Sequence, residues 1–409
     1  MEHVETAIIG GGQAGLAMSY HLSQLGREHV IIERARVAER WRTQRWDSLM
    51  FQFPNWSIEL PGRMYAGTDP DGFSSKDEVL KFIEDYCAWI KAPLRTGISV
   101  LSLRPGAHAS RYLLATDQGD IGARNVVIAT GPYQRPRVPH VSSGLPVDLV
   151  QLHASEYRNP DALPAGGVLV VGSGASGCQI AEELAGSGRR VYLSVGRHRR
   201  VPRRYRGRDV FWWRRAMGHL DQTVDATLDG KRMHAPLVTG VHGGHDIDLL
   251  RYAADGMTLL GHVRDMREGR VAFAPDLEDS LRIGDQAFDD FTRAADDYVS
   301  SEGIEAPLAQ SQAMPHPTMA TLEMVGEIDV HATKITSVIW ATGYTADFGW
   351  VELPIFDNQG EPIHRRGVTS APGIYLLGLA WLHKAKSSFL YGVGEDAEFL
   401  AERISHERG

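Results

Sequence analysis

The stretch that decides the fold is Thr6-Ala7-Ile8-Ile9-Gly10-Gly11-Gly12-Gln13-Ala14-Gly15-Leu16-Ala17. Ala7–Ile9 has the character of a buried parallel strand, and it breaks directly into Gly10-x-Gly12-x-x-Gly15. Helical periodicity then takes over at Leu16, Tyr20 and Leu22, and it stops at Leu25-Gly26 with glycine at the C-terminal cap. Each glycine of such a turn has its own task. Gly10 makes the tight turn, Gly12 lets the backbone approach a pyrophosphate, and Gly15 lets the helix lie close on the strand. The unpaired N–H groups and positive dipole end at Gln13 and Ala14 then face an anion. A second strand, His29–Ile32, runs into Glu33-Arg34. A carboxylate about twenty residues past the turn is placed to hold ribose hydroxyls.

The same pattern recurs further on. Val168–Val171 runs into Gly172-Ser173-Gly174-Ala175-Ser176-Gly177, a helix follows through Ile180, Leu184 and Ala185 to Gly186, and a second strand follows at Val191–Val195. Two such units in one chain are a repeat rather than an accident of glycine content. They differ at the end of the second strand. Where the first copy has Glu33, the second has Gly196-Arg197, with Arg199, Arg200, Arg203, Arg204, Arg206 and Arg208 close behind. A carboxylate repels a 2′-phosphate, whereas guanidinium groups bind one in bidentate fashion. The first unit is therefore expected to take a dinucleotide with free ribose hydroxyls, and the second to take NADPH through Arg197, Arg203 and Arg204.

Two further strands end alike, in Ala129-Thr130-Gly131 and Ala341-Thr342-Gly343. These turns bracket the second glycine unit, which reads as an insertion into the first. The expected fold is α/β, with two Rossmann-like domains of the three-layer ββα type. A discontinuous first domain covers 1–165 and 331–409, and an inserted second domain covers 166–330. Between the glycine units, Ser75-x-x-Glu78 predicts a helix start. Ile98–Leu103, containing Val100, reads as a strand. The segment from Arg40 to Trp56, with Trp41, Trp46, Gln52 and Asn55, is expected to be an irregular loop without helix on the ligand side of the sheet. An amphipathic helix is expected over Phe288–Val299, and about 285–330, including Met314–Met319, is expected to line or cover a cleft.

Composition narrows the function. The chain has 409 residues, 43% apolar and 23% charged, with a net charge of −8, which argues against nucleic acid or an anionic membrane as partner. No apolar run is long enough for a membrane-spanning helix, and the N-terminal residues lack a signal-peptide pattern. The two cysteines, Cys87 and Cys178, are far apart and form no CxxC pair, as expected of a cytoplasmic protein without a disulfide framework or cysteine metal site.

In combination and in order, these motifs resemble the class B flavin-dependent monooxygenases of the flavin-containing monooxygenase type, in particular the bacterial CzcO-like branch and the plant YUCCA enzymes. The resemblance spans nearly the whole chain, including the segment from Gly378 through Ser388 to Asp396. It implies FAD in the first domain, NADPH in the inserted one, and a small-molecule substrate meeting O2 between them, with homodimers compatible. It also implies a C4a-hydroperoxyflavin that transfers oxygen to nitrogen, sulfur or a carbonyl carbon, the first two favoured. The family fingerprint FxGxxxHxxx(Y/W) falls on Val147, Leu149, His153 and Tyr157, of which only the last two match. Alignment places Gln52 where many members carry an asparagine beside the flavin, with Asn55 as the nearest asparagine. Three other readings share the domain plan: a disulfide reductase, which needs a redox cysteine pair, an NADPH oxidase releasing H2O2, and a flavoprotein redox sensor without turnover.

Overall fold

The chain opens with a parallel strand, β1 (Glu2–Ile9), a helix, α1 (Gln13–Gln24), and a second strand, β2 (His29–Glu33). The structure is a computed structural model that describes residues 1–106, 110–226, 236–308, 319 and 322–406. The cleft segment Met314–Thr318 expected from sequence lies outside the described residues. After α2 (Lys76–Trp89), capped by the reciprocal Ser75/Glu78 box, come β3 (Leu94–Thr96), the hairpin β4 (Val100–Pro105) and β5 (Tyr112–Thr116), and the long β6 (Ile121–Ile128). β6 has two jobs. Its first half pairs with β5 antiparallel, and its length also runs parallel to β1. One departure from expectation lies nearby. Glu39–Thr43 is a short helix, where sequence predicted an irregular loop. A single turn is too short to show periodicity in sequence.

The inserted unit has its own parallel sheet. It uses β7 (Val150–His153), β8 (Gly167–Val171), β9 (Val191–Ser194), β10 (Thr258–Leu260) and, after a meander, β14 (Ile335–Trp340), in the order β7-β14-β8-β9-β10. The meander is β11 (Val263–Arg267), β12 (Arg270–Phe273) and β13 (Glu327–Asp329). The helices include α3 (Ala175–Gly186), α4 (Val210–Ala216) and α5 (Leu277–Glu302). Alternation along the strands makes three layers. Val168, Val170 and Leu193 face the helical side with Ile180 and Leu184, while Leu169, Val171 and Tyr192 face Met266, Val271 and Phe273 of the meander. The chain then returns to the first sheet through β15 (Ile374–Leu376), parallel to β6, and ends in α6 (Val393–His406), which packs on α1.

The topology corrects the expected boundaries. Residues 150–165 and 331–343 were assigned to the first domain, but β7 and β14 are strands of the inserted sheet. Each Ala-Thr-Gly turn therefore serves its own unit. Ala129 N–H bonds Ile9 O at 2.9 Å, and Ala341 N–H bonds Val171 O at 2.9 Å. The two chain crossings follow these turns and pair with each other, Arg135-Pro136 against Tyr344-Thr345.

Candidate active site

The two glycine turns are matched atom for atom. Gly10 and Gly172 have φ of +117° and +109°, and a Cβ on either would lie 2.6 or 2.5 Å from the carbonyl oxygen of Ala129 or Ala341. A Cβ on Gly15 would lie 2.0 Å from Gly10 O, and one on Gly177 would lie 1.9 Å from Gly172 O. A Cβ on Gly12 or Gly174 would meet no protein atom within 4 Å. The outer glycines are thus demanded by the fold, whereas the middle ones face open space at a helix N-terminus. That vacant approach is what a dinucleotide pyrophosphate requires.

The ends of the second strands differ as charge alone predicts. The Glu33 carboxylate accepts hydrogen bonds from Gly11 N–H (2.7 Å) and Ala35 N–H (2.9 Å), which leaves lone pairs for ribose hydroxyls. In the second copy Ser173 occupies the place of Gly11, and its neutral hydroxyl accepts from Gly196 N–H at 2.9 Å. Uncharged Val195 and Gly196 stand where the first copy has Glu33, so that position carries no charge to oppose a phosphate. Arg197 follows, exposed. Arg204 is also exposed, but Arg203 is buried: its guanidinium pairs with Asp209 (2.6 Å), donates to Gln52 O (2.7 Å) and stacks on Phe73. It is a tie between the two units and does not point into a nucleotide site. Of the other predicted nucleotide residues, Gly131 and Thr130 sit at the first crossing, where Gln134 Nε2 donates to both. Arg34 is exposed beyond Glu33, Val100 is half-buried at the start of β4, and Ala175, Ser176 and Thr342 lie at the second turn and crossing. Trp41 packs on Phe51, whereas Trp46 is buried in the core of the inserted unit.

The wall between the units is aromatic. Phe53 stacks on Phe211 with ring centres 4.3 Å apart and meets Phe389 at 5.2 Å, while Trp56 touches Phe211 and Tyr391. Sequence identified the loop aromatics but not their partners on α4 and before α6; the Phe211-Trp212-Trp213 run was the visible signal. The C-terminal segment closes against the first turn. Gln13 Nε2 donates to Ser388 O at 2.7 Å, and a Cβ on Gly378 would lie 2.6 Å from the Ala14 methyl. Val224 N–H donates to His383 O and Ala385 N–H to Gln222 O, which joins the inserted unit to this segment. Lys384 and Lys386 each bridge Asp221 and Glu395. A cavity of about 1020 Å³ opens here, lined by Pro132, Gln134, Tyr344, Leu379, Trp381 and His383 among others.

The two predicted amides behave differently. Gln52 is in the wall, but its Nε2 donates to Pro236 O (2.9 Å). Asn55 is 4% exposed and donates to Asp69 O (2.9 Å) and Tyr65 OH, while its Oδ1 is buried without a partner. Its role in the structure is to hold a turn. His153 and Tyr157 are buried as well. His153 bridges Ser155 Oγ and Gly343 O, burial holding its pKa below the ordinary value, and Tyr157 OH donates to Glu183. Both brace the second crossing and helix α3. Cys178 is buried in α3 with its Sγ directed at Ser173 O, and burial pushes its thiol up, while Cys87 packs against the other unit's core. They are not a redox pair.

Comparison with known proteins agrees with this plan. Residues 7–207 match the family described as pyridine nucleotide-disulphide oxidoreductase. An uncharacterized CzcO-like oxidoreductase from Geobacillus kaustophilus is 34% identical over 408 residues, covering 99% of both chains. The rice indole-3-pyruvate monooxygenase YUCCA1 is 30% identical over 190 residues, 46% of this chain and 47% of its own length. Among solved structures, a flavin monooxygenase from Stenotrophomonas maltophilia shares the fold over 99% of both chains, with a TM-score of 0.67 at 20% identity. No described helix is long and apolar enough to cross a membrane. With 34% identity to a relative over 99% of both chains and both glycine turns in place, the chain belongs to the CzcO-like oxidoreductase family.

Proposed function

We propose that this oxidoreductase is an NADPH- and FAD-dependent monooxygenase acting on a small organic nucleophile, with nitrogen or sulfur oxygenation favoured. The observation that carries the reading is the pair of matched turns whose middle glycines face open space, one followed by Glu33 and the other by Ser173 and Arg197. Gly10–Gly15 and Glu33 would hold FAD, and Gly172–Gly177 and Arg197 would hold NADPH. The flavin supplies hydride acceptance and oxygen activation. The chain's residues hold the two dinucleotides, line an aromatic wall and keep water from the reacting centre. Gln52 serves as the polar donor at that wall once its amide turns from Pro236 O, whereas Asn55 supports the turn. The disulfide reductase reading is set aside because Cys87 and Cys178 belong to different cores.

The test measures NADPH-dependent O2 uptake together with H2O2 release across amines, sulfides and ketones. Oxygen transfer predicts less H2O2 than NADPH consumed for at least one substrate, and Gln52→Leu should raise the H2O2 share while flavin reduction stays nearly unchanged. Loss of one preorganised donor costs about 2.7–4 kcal/mol at the oxygen-transfer step. Stoichiometric return of every NADPH as H2O2 replaces this reading with an oxidase.

A further inference from the structure

Arg214 is a buried charge without a counter-charge. It lies on α4 at 8% exposure, and no described residue offers its guanidinium an ion pair, hydrogen bond or aromatic face. The other two buried arginines of this unit are paired, Arg200 with Asp248 and Asp285, and Arg203 with Asp209. The charged neighbours that act on Arg214 have the wrong sign. Burial first, then Arg199, pushes its pKa down to about 10, which leaves it cationic at neutral pH, and burial, with Arg214 and Arg199 adding to it, disfavours charge on His219. A desolvated cation of this kind is sustained when an anion meets it.

Its place says which anion. Phe211 and Arg214, three residues apart, share a face of α4, and Phe211 stacks on Phe53 and tilts against Phe389. The helix end is tied to the flavin-side segment: Leu220 N–H donates to Arg214 O, and Lys386 N–H donates to Leu220 O. Two residues beyond Lys386, the Ser388 carbonyl receives Gln13 from the first glycine turn. The unpartnered cation thus stands one helical turn from the aromatic wall of the cleft.

We infer that Arg214, flanked by Arg199 and His219, is a subsite for the carboxylate of the substrate, whose apolar body lies on Phe53 and Phe389, the two partly exposed rings that the buried Phe211 backs. The inference deepens the oxygenase reading and rests on it for the identity of the cleft. A planar guanidinium takes a carboxylate in bidentate fashion and turns the rest of the molecule toward the aromatic wall. Carboxylic acids bearing a nucleophilic nitrogen or sulfur on an apolar chain are the substrate class that results.

Calorimetric titration of the oxidised holoenzyme requires no turnover, so its result stands apart from whether oxygen is transferred. The probes are acetate, hexanoate and phenylacetate, each against its neutral amide. In the wild type, hexanoate or phenylacetate should bind about ten-fold or more tighter than its amide, a ratio expected of one charge-assisted contact. Arg214→Gln should bring the ratio to about one, and Arg214→Lys, which keeps the charge but loses the fork, should fall about three-fold or more short of wild type. FAD content serves as the folding control, and where Arg214→Gln does not fold the lysine variant carries the test. No carboxylate outbinding its amide, or a variant that folds and keeps the full ratio, overturns the proposal. So does an Arg214→Gln protein whose sole change is weaker NADPH binding, which assigns the cation to the cofactor phosphate.

Discussion

Substitution of the three glycines of the first turn separates folding from cofactor binding. A Cβ on Gly15 would lie 2.0 Å from Gly10 O, a backbone atom that cannot swing aside. Gly15→Ala must push helix α1 off β1, and overpacking of this kind costs about 1–3 kcal/mol or more. Gly12 has φ −93° and open space around its would-be Cβ, so a side chain fits the protein without cofactor. Its only folding cost is the poorer helix N-cap, about 0.5–1 kcal/mol. The same side chain fills the approach proposed for the pyrophosphate. Two displaced charge-assisted contacts at about 1.5–3 kcal/mol each amount to about 3–6 kcal/mol, or a hundred-fold to ten-thousand-fold in FAD affinity. Gly12→Val should therefore purify colourless and folded, with a urea midpoint near that of wild-type apoprotein, while Gly15→Ala loses stability with or without FAD. Gly174→Val should keep FAD and lose NADPH. The assay is flavin content by absorbance, with urea unfolding of apoprotein followed by circular dichroism. A Gly12→Val protein with full FAD occupancy would falsify the placement, and equal loss of stability in both variants would refute the steric argument behind it.

The arginine run makes a second division. Arg197→Ala should cut the preference for NADPH over NADH by about ten- to hundred-fold at unchanged stability, read from initial rates of flavin reduction with each coenzyme. Arg203→Ala strands the Asp209 carboxylate, buried at 9% side-chain exposure, and should cost about 3–5 kcal/mol of stability; a silent Arg203→Ala contradicts the tie seen here. His245 predicts a pH dependence. The hydrogen bond of its Nε2 with Glu182 Oε1 (2.6 Å), opposed in part by burial, raises its pKa above 6.5. A raised histidine contributes stability that is whole below the unfolded value and is lost as pH rises through the folded one. The urea-midpoint advantage of wild type over His245→Gln should accordingly shrink between about pH 5.5 and pH 8.5, and an advantage that grows over that range refutes the pairing.

Local chemistry was legible and long-range partners were not. The turn at Gly10–Gly15 and its repeat at Gly172–Gly177 were readable because their φ angles and the approaches of Gly15 to Gly10 and Gly177 to Gly172 involve neighbours in sequence, whereas the contacts of Gly10 with Ala129 and Gly172 with Ala341 do not. The Ser75/Glu78 box was readable for the same reason. The strand Ile335–Trp340 was given to the wrong sheet because a parallel strand carries no mark of its partner, and its partner Gly167–Val171 lies far back in the chain.

Two dinucleotide units, Glu33 ending one and Arg197 following the other, and the lack of a CxxC pair are all readable from the order of residues alone. Glycine geometry, strand length and charge are properties of short segments, and short segments declare them. The surroundings of Arg203, Arg214, Gln52 and Asn55 come from folding instead. Arg203 and Arg214 are chemically the same residue, yet Asp209 neutralises one and no described residue neutralises the other. Gln52 and Asn55 are both amides of one loop, yet one reaches Pro236 across the cleft and the other is sealed in a turn. What a charge or an amide can do depends on which atoms meet it and how much water is left, and both are set by residues distant in the chain.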